Sequence, residues 1–109
     1  SRAALEGLQR LGENFDVLHA HDHQAAWSTC LVRTHEAYEL AFDSVATVFT
    51  IHHLGYQGIY DSWVLALAGL GSEVFYPGSP FEFWGRVNYM KVGLAFVMIA
   101  IFIAALVWR

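Results

Sequence analysis

Apolar and polar positions follow two different periods along this chain, and each change of period marks an element. Ala4, Leu8 and Leu11 recur at i, i+4 and i+7 with Leu5 beside them, which predicts a short amphipathic helix over residues 3–11, stopped by Gly12. After Glu13-Asn14, the run at residues 15–20 predicts a strand, and it ends in the polar group His21-Asp22-His23-Gln24. Ala25, Ala26, Trp27, Cys30 and Leu31 resume helical spacing, predicting a helix to about Tyr38 with Asp22 at its N-cap position. Asp43-Ser44 breaks the chain before a second run, residues 47–51, whose β-branched and aromatic residues fit a strand buried on both faces of a parallel sheet. That run also ends in a polar group, His52-His53, followed by a loop punctuated by Gly55 and Gly58. Residues 63–70 read as a short helix and residues 69–80 as a Gly/Ser/Pro-rich loop. Phe83, Val87, Met90 and Leu94 then predict a helix over 83–95.

Strand, helix and strand within roughly forty residues have the size of a right-handed βαβ crossover, so the fold class is α/β with a partial Rossmann-like parallel sheet. Both strands then run the same way, and His21, Asp22, His52 and His53 converge on the carboxyl edge of the sheet. Open α/β sheets bind their ligands there. A neutral imidazole at such an edge can donate or accept a hydrogen bond. Asp22 can hold sugar-like hydroxyls or merely cap the helix, and both readings stay open. His52 has the plainer alternative of a strand-end histidine satisfied by backbone. His19 reads as a core histidine, Trp63, Trp84 and Phe96 as packing residues, and Cys30 as an inert core thiol.

Composition changes this picture in three places. Hydrophobic residues make up 56% of the 109 and aromatics 16%, a surplus that implies surfaces meant to be covered by more protein or by lipid. A net charge of −4 with only 6 Lys+Arg argues against nucleic acid as a partner. One cysteine leaves no internal disulfide and no cysteine pair for a metal. The length suits a small domain or a piece of a larger one, and no secretory signal pattern opens the sequence. Residues 92–108 carry no charge, so a hydrophobic C-terminal helix is expected. The run reaches the lower edge of membrane-spanning length, about 17 residues. Membrane contact of 92–108 is one reading; a buried helix and an unrelated tail are the others.

Four blocks resemble a known family. Residues 15–22, Phe-Asp-Val-Leu-His-Ala-His-Asp, resemble the "DVVHAHDW" junction of bacterial glycogen and plant starch synthases. Residues 48–58 are similar to the family's "VFTVHNLAYQG", and Phe81-Glu82-Phe83-Trp84-Gly85 and residues 88–94 to its "LEFNG…SFLKAGL". The blocks stand in the family's order. The resemblance implies a glucosyltransferase that extends an α-1,4-glucan from a nucleotide-glucose donor, normally ADP-glucose, with retention of configuration and with no cofactor beyond that substrate. It implies a fold of two Rossmann-like domains facing across a cleft, with residues 1–96 an internal part of the amino-terminal one and residues 97–109 a hydrophobic tail outside the match. His52 and Asp22 then fall on catalytic positions, and Tyr56, Gln57, Gly58, His53 and His21 on substrate-binding ones. The implied partners are the nucleotide sugar, the α-glucan and a carboxyl-terminal domain. The implied location is the bacterial cytoplasm or a plastid, with membrane association through the tail as a further reading. Two departures stand out: His53 replaces the family's asparagine, and Asp22-His23-Gln24 replaces "DWH". The family's "KTGG" loop and its diphosphate-neutralising Arg/Lys pair lie outside these residues, so the chain alone is expected to be inactive.

Two rivals come from other classes. His19, His21, Asp22 and His23 crowd together as in a zinc site, but the H-x-H-x-D-H spacing of zinc hydrolases puts the aspartate and last histidine four and five positions after the first. Here the offsets are three and four, so no metal ligand is assigned. The other rival is a non-catalytic, possibly membrane-tethered remnant, which the tail would favour.

Overall fold

In the computed structural model, which describes residues 1–12, 14–35, 38 and 41–102, the two apolar runs that end in histidine lie side by side. The described elements are α1 (Arg2–Leu11), β1 (Val17–His21), the single-turn α2 (Asp22–Ala25), α3 (Trp27–Thr34) and β2 (Ala46–Ile51). They continue with β3 (Ile59–Tyr60), α4 (Val64–Leu67), a 3₁₀ turn at Ser72–Val74, β4 (Val87–Asn88), α5 (Tyr89–Ala95) and β5 (Ile99–Phe102). β1 and β2 pair in parallel, with Ala20 opposite Phe49 and His21 opposite Thr50. β5 joins the other edge of β2, also in parallel, so the sheet order is β1-β2-β5. β3 and β4 form a separate antiparallel ladder, Ile59 opposite Asn88 and Tyr60 opposite Val87. The expected α/β architecture with a parallel sheet is present.

Alternation along the strands sorts the side chains. Ala20, Phe49 and Ile51 face the helices and are buried with Ala26 and Met90. Gly93 of α5 permits that approach, because a Cβ there would lie 2.9 Å from both Ala26 Cβ and Phe49 Cε2. A second cluster joins Leu5 of α1 to Trp27, Leu31 and Val32 of α3 and to Val64, Phe81 and Val87. Arg33 ties the turn before β2 to α3: its Nη1 donates to Phe42 O at 3.1 Å and its Nη2 to Val45 O. The opposite face of the sheet stays open, with Val17 52% and Ile99 54% exposed. β2 is therefore buried along its helix-facing side, while on the other side Ala46 and Val48 are half-buried and Thr50, at 2% exposed, is buried, so the two-sided burial expected holds only at the carboxyl end of the strand.

Several expectations need correction. The first strand starts at Val17 rather than Phe15. The following helix is broken at Ala26, and α3 ends at Thr34 because His35 is extended (φ −88, ψ 122), well before Tyr38. Residues 36, 37, 39 and 40 lie outside the described residues. The helix expected over 83–95 begins only at Tyr89. Trp84 and Gly85 take left-handed φ values of 52 and 80, which close a tight hairpin turn, and β4 follows. Asn88 then caps α5, its Oδ1 accepting from Lys91 N at 3.0 Å.

The hydrophobic C-terminal helix is not found where it can be seen. Met98 N donates to Thr47 O at 3.2 Å, which starts the pairing of Ile99–Phe102 against β2. A buried parallel strand and a buried helix give the same unbroken apolar run, and here the unpaired edge of β2 selects the strand. Residues 103–109 lie outside the described residues. Among the described residues, no helix is long and apolar enough to cross a membrane.

Candidate active site

Parallel pairing of β1 and β2 brings the two histidine-bearing ends together. His21 closes β1 opposite Thr50, two residues before His52. The rings of His21 and His52 stack with centroids 5.4 Å apart and planes 25° from parallel. Nδ1 of His21 lies 3.1 Å from Nε2 of His52, so one of these nitrogens carries the proton and the other accepts. His19 stands two residues back on the same strand face, its ring 4.1 Å from that of His21 and its Nε2 2.7 Å from Thr50 Oγ1. His19 is exposed, which corrects its reading as a core histidine; Val17, two residues back on the same sheet face, is 52% exposed.

Asp22 does not cap the helix it begins. The N-cap position belongs to His21, and Asp22 itself sits in the left-handed region with φ 60. Aspartate is among the few side chains that enter this region readily. From there its Oδ1 accepts from the backbone N–H of His52 at 2.7 Å, the short distance of a charge-assisted bond. The carboxylate thus fixes the end of β2 from the end of β1. His21, Asp22 and His52 form one connected group, as the spacing predicts.

The loop after β2 is fastened separately. Gln57 is held at both ends of its side-chain amide: Nε2 donates to Leu54 O at 2.9 Å and Oε1 accepts from Asn88 Nδ2 at 2.7 Å. The carbonyls of Gln57 and Gly58 accept from Met90 N and Tyr89 N, at 3.1 and 2.9 Å, satisfying the free N–H groups at the start of α5. His23 Nδ1 donates to Tyr56 O at 3.0 Å. Gly58 has φ +73, and a Cβ there would fall 2.7 Å from His23 Cδ2. Tyr56 is exposed, with the His53 ring edge-on to it at 5.5 Å. Tyr56, Gln57 and Gly58 line an open groove of about 650 Å³ together with His23, Tyr60 and Phe83.

Burial shifts two titratable groups nearby in the fold. Burial pushes the Cys30 thiol up to about 11 against the pull of its hydrogen bond to Thr34, consistent with an inert core thiol. Burial also raises Tyr89, opposed by its bond to Trp27 and helped by the neighbouring Tyr60. Among the described residues, no group of three or more His, Cys, Asp or Glu side chains is placed to hold a metal ion. In the crowded segment, His19 turns to Thr50, His23 to Tyr56 O and Asp22 to His52 N, so the donors diverge.

Four residues escaped the sequence reading or were misread by it. Asn88, only 3% exposed, joins the loop to α5, and its cap signal was hidden because the helix expected over 83–95 ran through it. His23 was read only as part of a polar group. Trp84 and Trp63, read as packing residues, are 88% and 63% exposed.

Comparison with known proteins gives a consistent picture. A family model described as the starch synthase catalytic domain matches residues 1–101. The glycogen synthase of Pseudothermotoga lettingae is 40% identical over 96 residues, 88% of this chain and 20% of that protein. The glycogen synthase of Desulforudis audaxviator is 43% identical over 95 residues, 87% of this chain and 19% of that protein. Among solved structures, the catalytic domain of Starch Synthase IV from Arabidopsis thaliana bound to ADP and acarbose superposes with a TM-score of 0.78 and 32% identity. That match covers 91% of this chain and 20% of the other. The chain spans about a fifth of the length of these relatives.

Proposed function

The chain belongs to the starch synthase catalytic-domain family of glycosyltransferases, and from that premise we propose that it supplies one wall of the active site of a glucan synthase. The protein containing it transfers glucose from ADP-glucose to the end of an α-1,4-glucan with retention of configuration. The observation that carries this reading is the joining of His52 to Asp22 and His21 at the carboxyl edge of the sheet, by contacts of 2.7 and 3.1 Å.

The chemistry accounts for these groups. As the bond from C1 of the donor glucose to the diphosphate breaks, positive charge builds on the sugar ring, and a bond from C1 to an acceptor hydroxyl replaces it. Its proton leaves with the departing phosphate. Preorganised polar groups aimed at the sugar stabilise such a state. In this reading His52 bonds a donor hydroxyl, with its backbone held by Asp22 and its ring oriented by His21. Asp22 is thus a positioning residue for His52. His53, Tyr56 and Gly58 border the sugar, while Gln57 holds the loop. The donor is a substrate, and no further cofactor is required. The leaving diphosphate needs cationic groups, and the described sheet edge offers imidazoles rather than lysine or arginine. We assign those cations to a carboxyl-terminal domain across a cleft, so the isolated chain is inactive. The setting is the compartment that holds ADP-glucose and glucan, a bacterial cytoplasm or a plastid. The relatives' names and the ADP in the solved relative support the choice of substrates.

The test is incorporation of labelled glucose from ADP-glucose into glycogen by the complete protein. His52→Ala should lower the rate by about 100-fold or more, the usual scale for a group acting on the transition state. A variant that turns over at the wild-type rate would remove the assignment.

A further inference from the structure

His19 has no part in the reaction outlined above. It is exposed, so its ring buries little and contributes little to stability, yet both of its contacts are close and directed. Its Nε2 lies 2.7 Å from Thr50 Oγ1, and its ring centroid lies 4.1 Å from that of His21, with planes 31° apart. Aromatic pairs ordinarily stand about 4.5–7 Å apart, so these two rings lie against each other.

Strand alternation builds this row. His19 and His21 share one face of β1, and His21 stands opposite Thr50 of β2 in the parallel register, two residues before His52. Thr50 is only 2% exposed, so its hydroxyl is a fixed anchor. The contacts run in one line: the Thr50 hydroxyl to His19, the His19 ring to the His21 ring, and His21 Nδ1 to His52 Nε2 at 3.1 Å.

The hydrogen bond to His52 holds one nitrogen of the exposed His21 ring. A single bond leaves the plane of a ring free to turn, and the His19 ring lying against His21 is what fixes that plane. The plane matters to His52. The proton they share sits on His21 Nδ1 or on His52 Nε2. In the first case His52 carries its own proton on Nδ1 and donates to the sugar; in the second its Nδ1 accepts from a sugar hydroxyl. A His21 ring turned out of plane loses the bond, and His52 is then free to exchange tautomers and to rotate.

We propose that His19, anchored by Thr50, is a positioning residue for the transfer reaction: it holds the His21 ring in the plane that selects one tautomer and one orientation of His52. The inference rests on the function proposed above, but the tautomer is read in the 109-residue chain without turnover, so the two can fail separately. The experiment has two readouts. Long-range ¹H–¹⁵N spectra of the chain, at a pH that leaves the imidazoles neutral, distinguish protonated from bare ring nitrogens. The kcat and the KM for ADP-glucose are measured in the complete protein. The wild type should show one protonated and one bare nitrogen at His21 Nδ1 and His52 Nε2. In His19→Ala both signals should move to values averaged between the tautomers, with an unchanged thermal melt. There kcat should fall about tenfold, with KM held within about twofold, because a misplaced group acts on the chemical step. His19→Phe keeps a flat ring against His21, and Thr50→Val removes only the anchoring hydroxyl; each should fall between wild type and His19→Ala in both readouts. Wild-type nitrogen signals or wild-type kcat in His19→Ala would overturn the assignment. So would a His19→Phe variant no better than His19→Ala, or a Thr50→Val variant indistinguishable from wild type. If the complete protein transfers no glucose while the nitrogen signals depend on His19, the reaction falls and the holding of His52 stands.

Discussion

The bond from Asp22 to the backbone of His52 can be separated from the strain of the conformation that makes it. Asp22 has φ 60 and accepts from His52 N at 2.7 Å. A hydrogen bond to a charged group contributes about 1.5–3 kcal/mol. A left-handed backbone costs an ordinary L-residue about 1–2 kcal/mol, which glycine avoids and asparagine largely tolerates. Asp22→Ala loses the bond and takes the full strain, so it should destabilise by about 2.5–5 kcal/mol, toward the lower end because Asp22 is only half-buried. Asp22→Gly loses the bond but relaxes the backbone, for about 1–2 kcal/mol. Asp22→Asn keeps a neutral acceptor and the conformation, for about 1 kcal/mol or less. In a domain of this size each kcal/mol moves Tm by about 4–8 °C, so the three variants separate in a thermal melt followed by circular dichroism. Amide exchange at His52 reads the bond itself, and should quicken in the Ala and Gly variants and stay slow in Asn. If Asn falls as far as Ala, or Gly melts with the wild type, the reasoning is refuted.

Two further outcomes follow from the same geometry. Gly58→Ala places a Cβ 2.7 Å from His23 Cδ2 at φ +73, so it should lower stability by about 2 kcal/mol or more in a urea melt, and a wild-type midpoint would contradict the close approach. Cys30, pushed up to about 11 from 9.0 by burial, keeps its proton in the folded state while the unfolded chain loses it, so its contribution is complete below pH 9 and is lost as pH rises toward 11. Near 1.4 kcal/mol per pH unit this amounts to about 2–3 kcal/mol, and unfolding free energies between pH 8 and 11 should decline more steeply for the wild type than for Cys30→Ala; parallel curves would refute the burial.

The parts legible in the chain and the parts that were not differ in kind. Both strands and the short helix at the start are written in local periodicity, and the parallel pairing follows from chain length alone, because one short helix between two strands leaves little other choice. Hence the meeting of His21, Asp22 and His52 was available in advance. The later helix misread residues 83–88 because i, i+4 spacing says nothing of φ, and the positive φ values of Trp84 and Gly85 interrupt it. A Trp-Gly pair is a weak turn signal; around it Glu82 Oε2 accepts from Gly85 N, Arg86 pairs with Asp61 and Lys91 Nζ donates to Glu82 O, contacts that i, i+4 spacing does not reveal.

Local pattern, in short, carried the order of the elements, the direction of the sheet and the ring-bearing ends of its strands, since each depends on neighbours a few residues apart. Contacts across the fold settled the rest. Asp22 turned from a helix cap into a clasp on His52, Gln57 was consumed by Leu54 and Asn88, and an apolar run that suits helix or strand alike became β5. Each of these outcomes hangs on which unsatisfied donor, acceptor or strand edge lies within reach, and, the nearby Leu54 carbonyl apart, that is a property of residues thirty or more positions away.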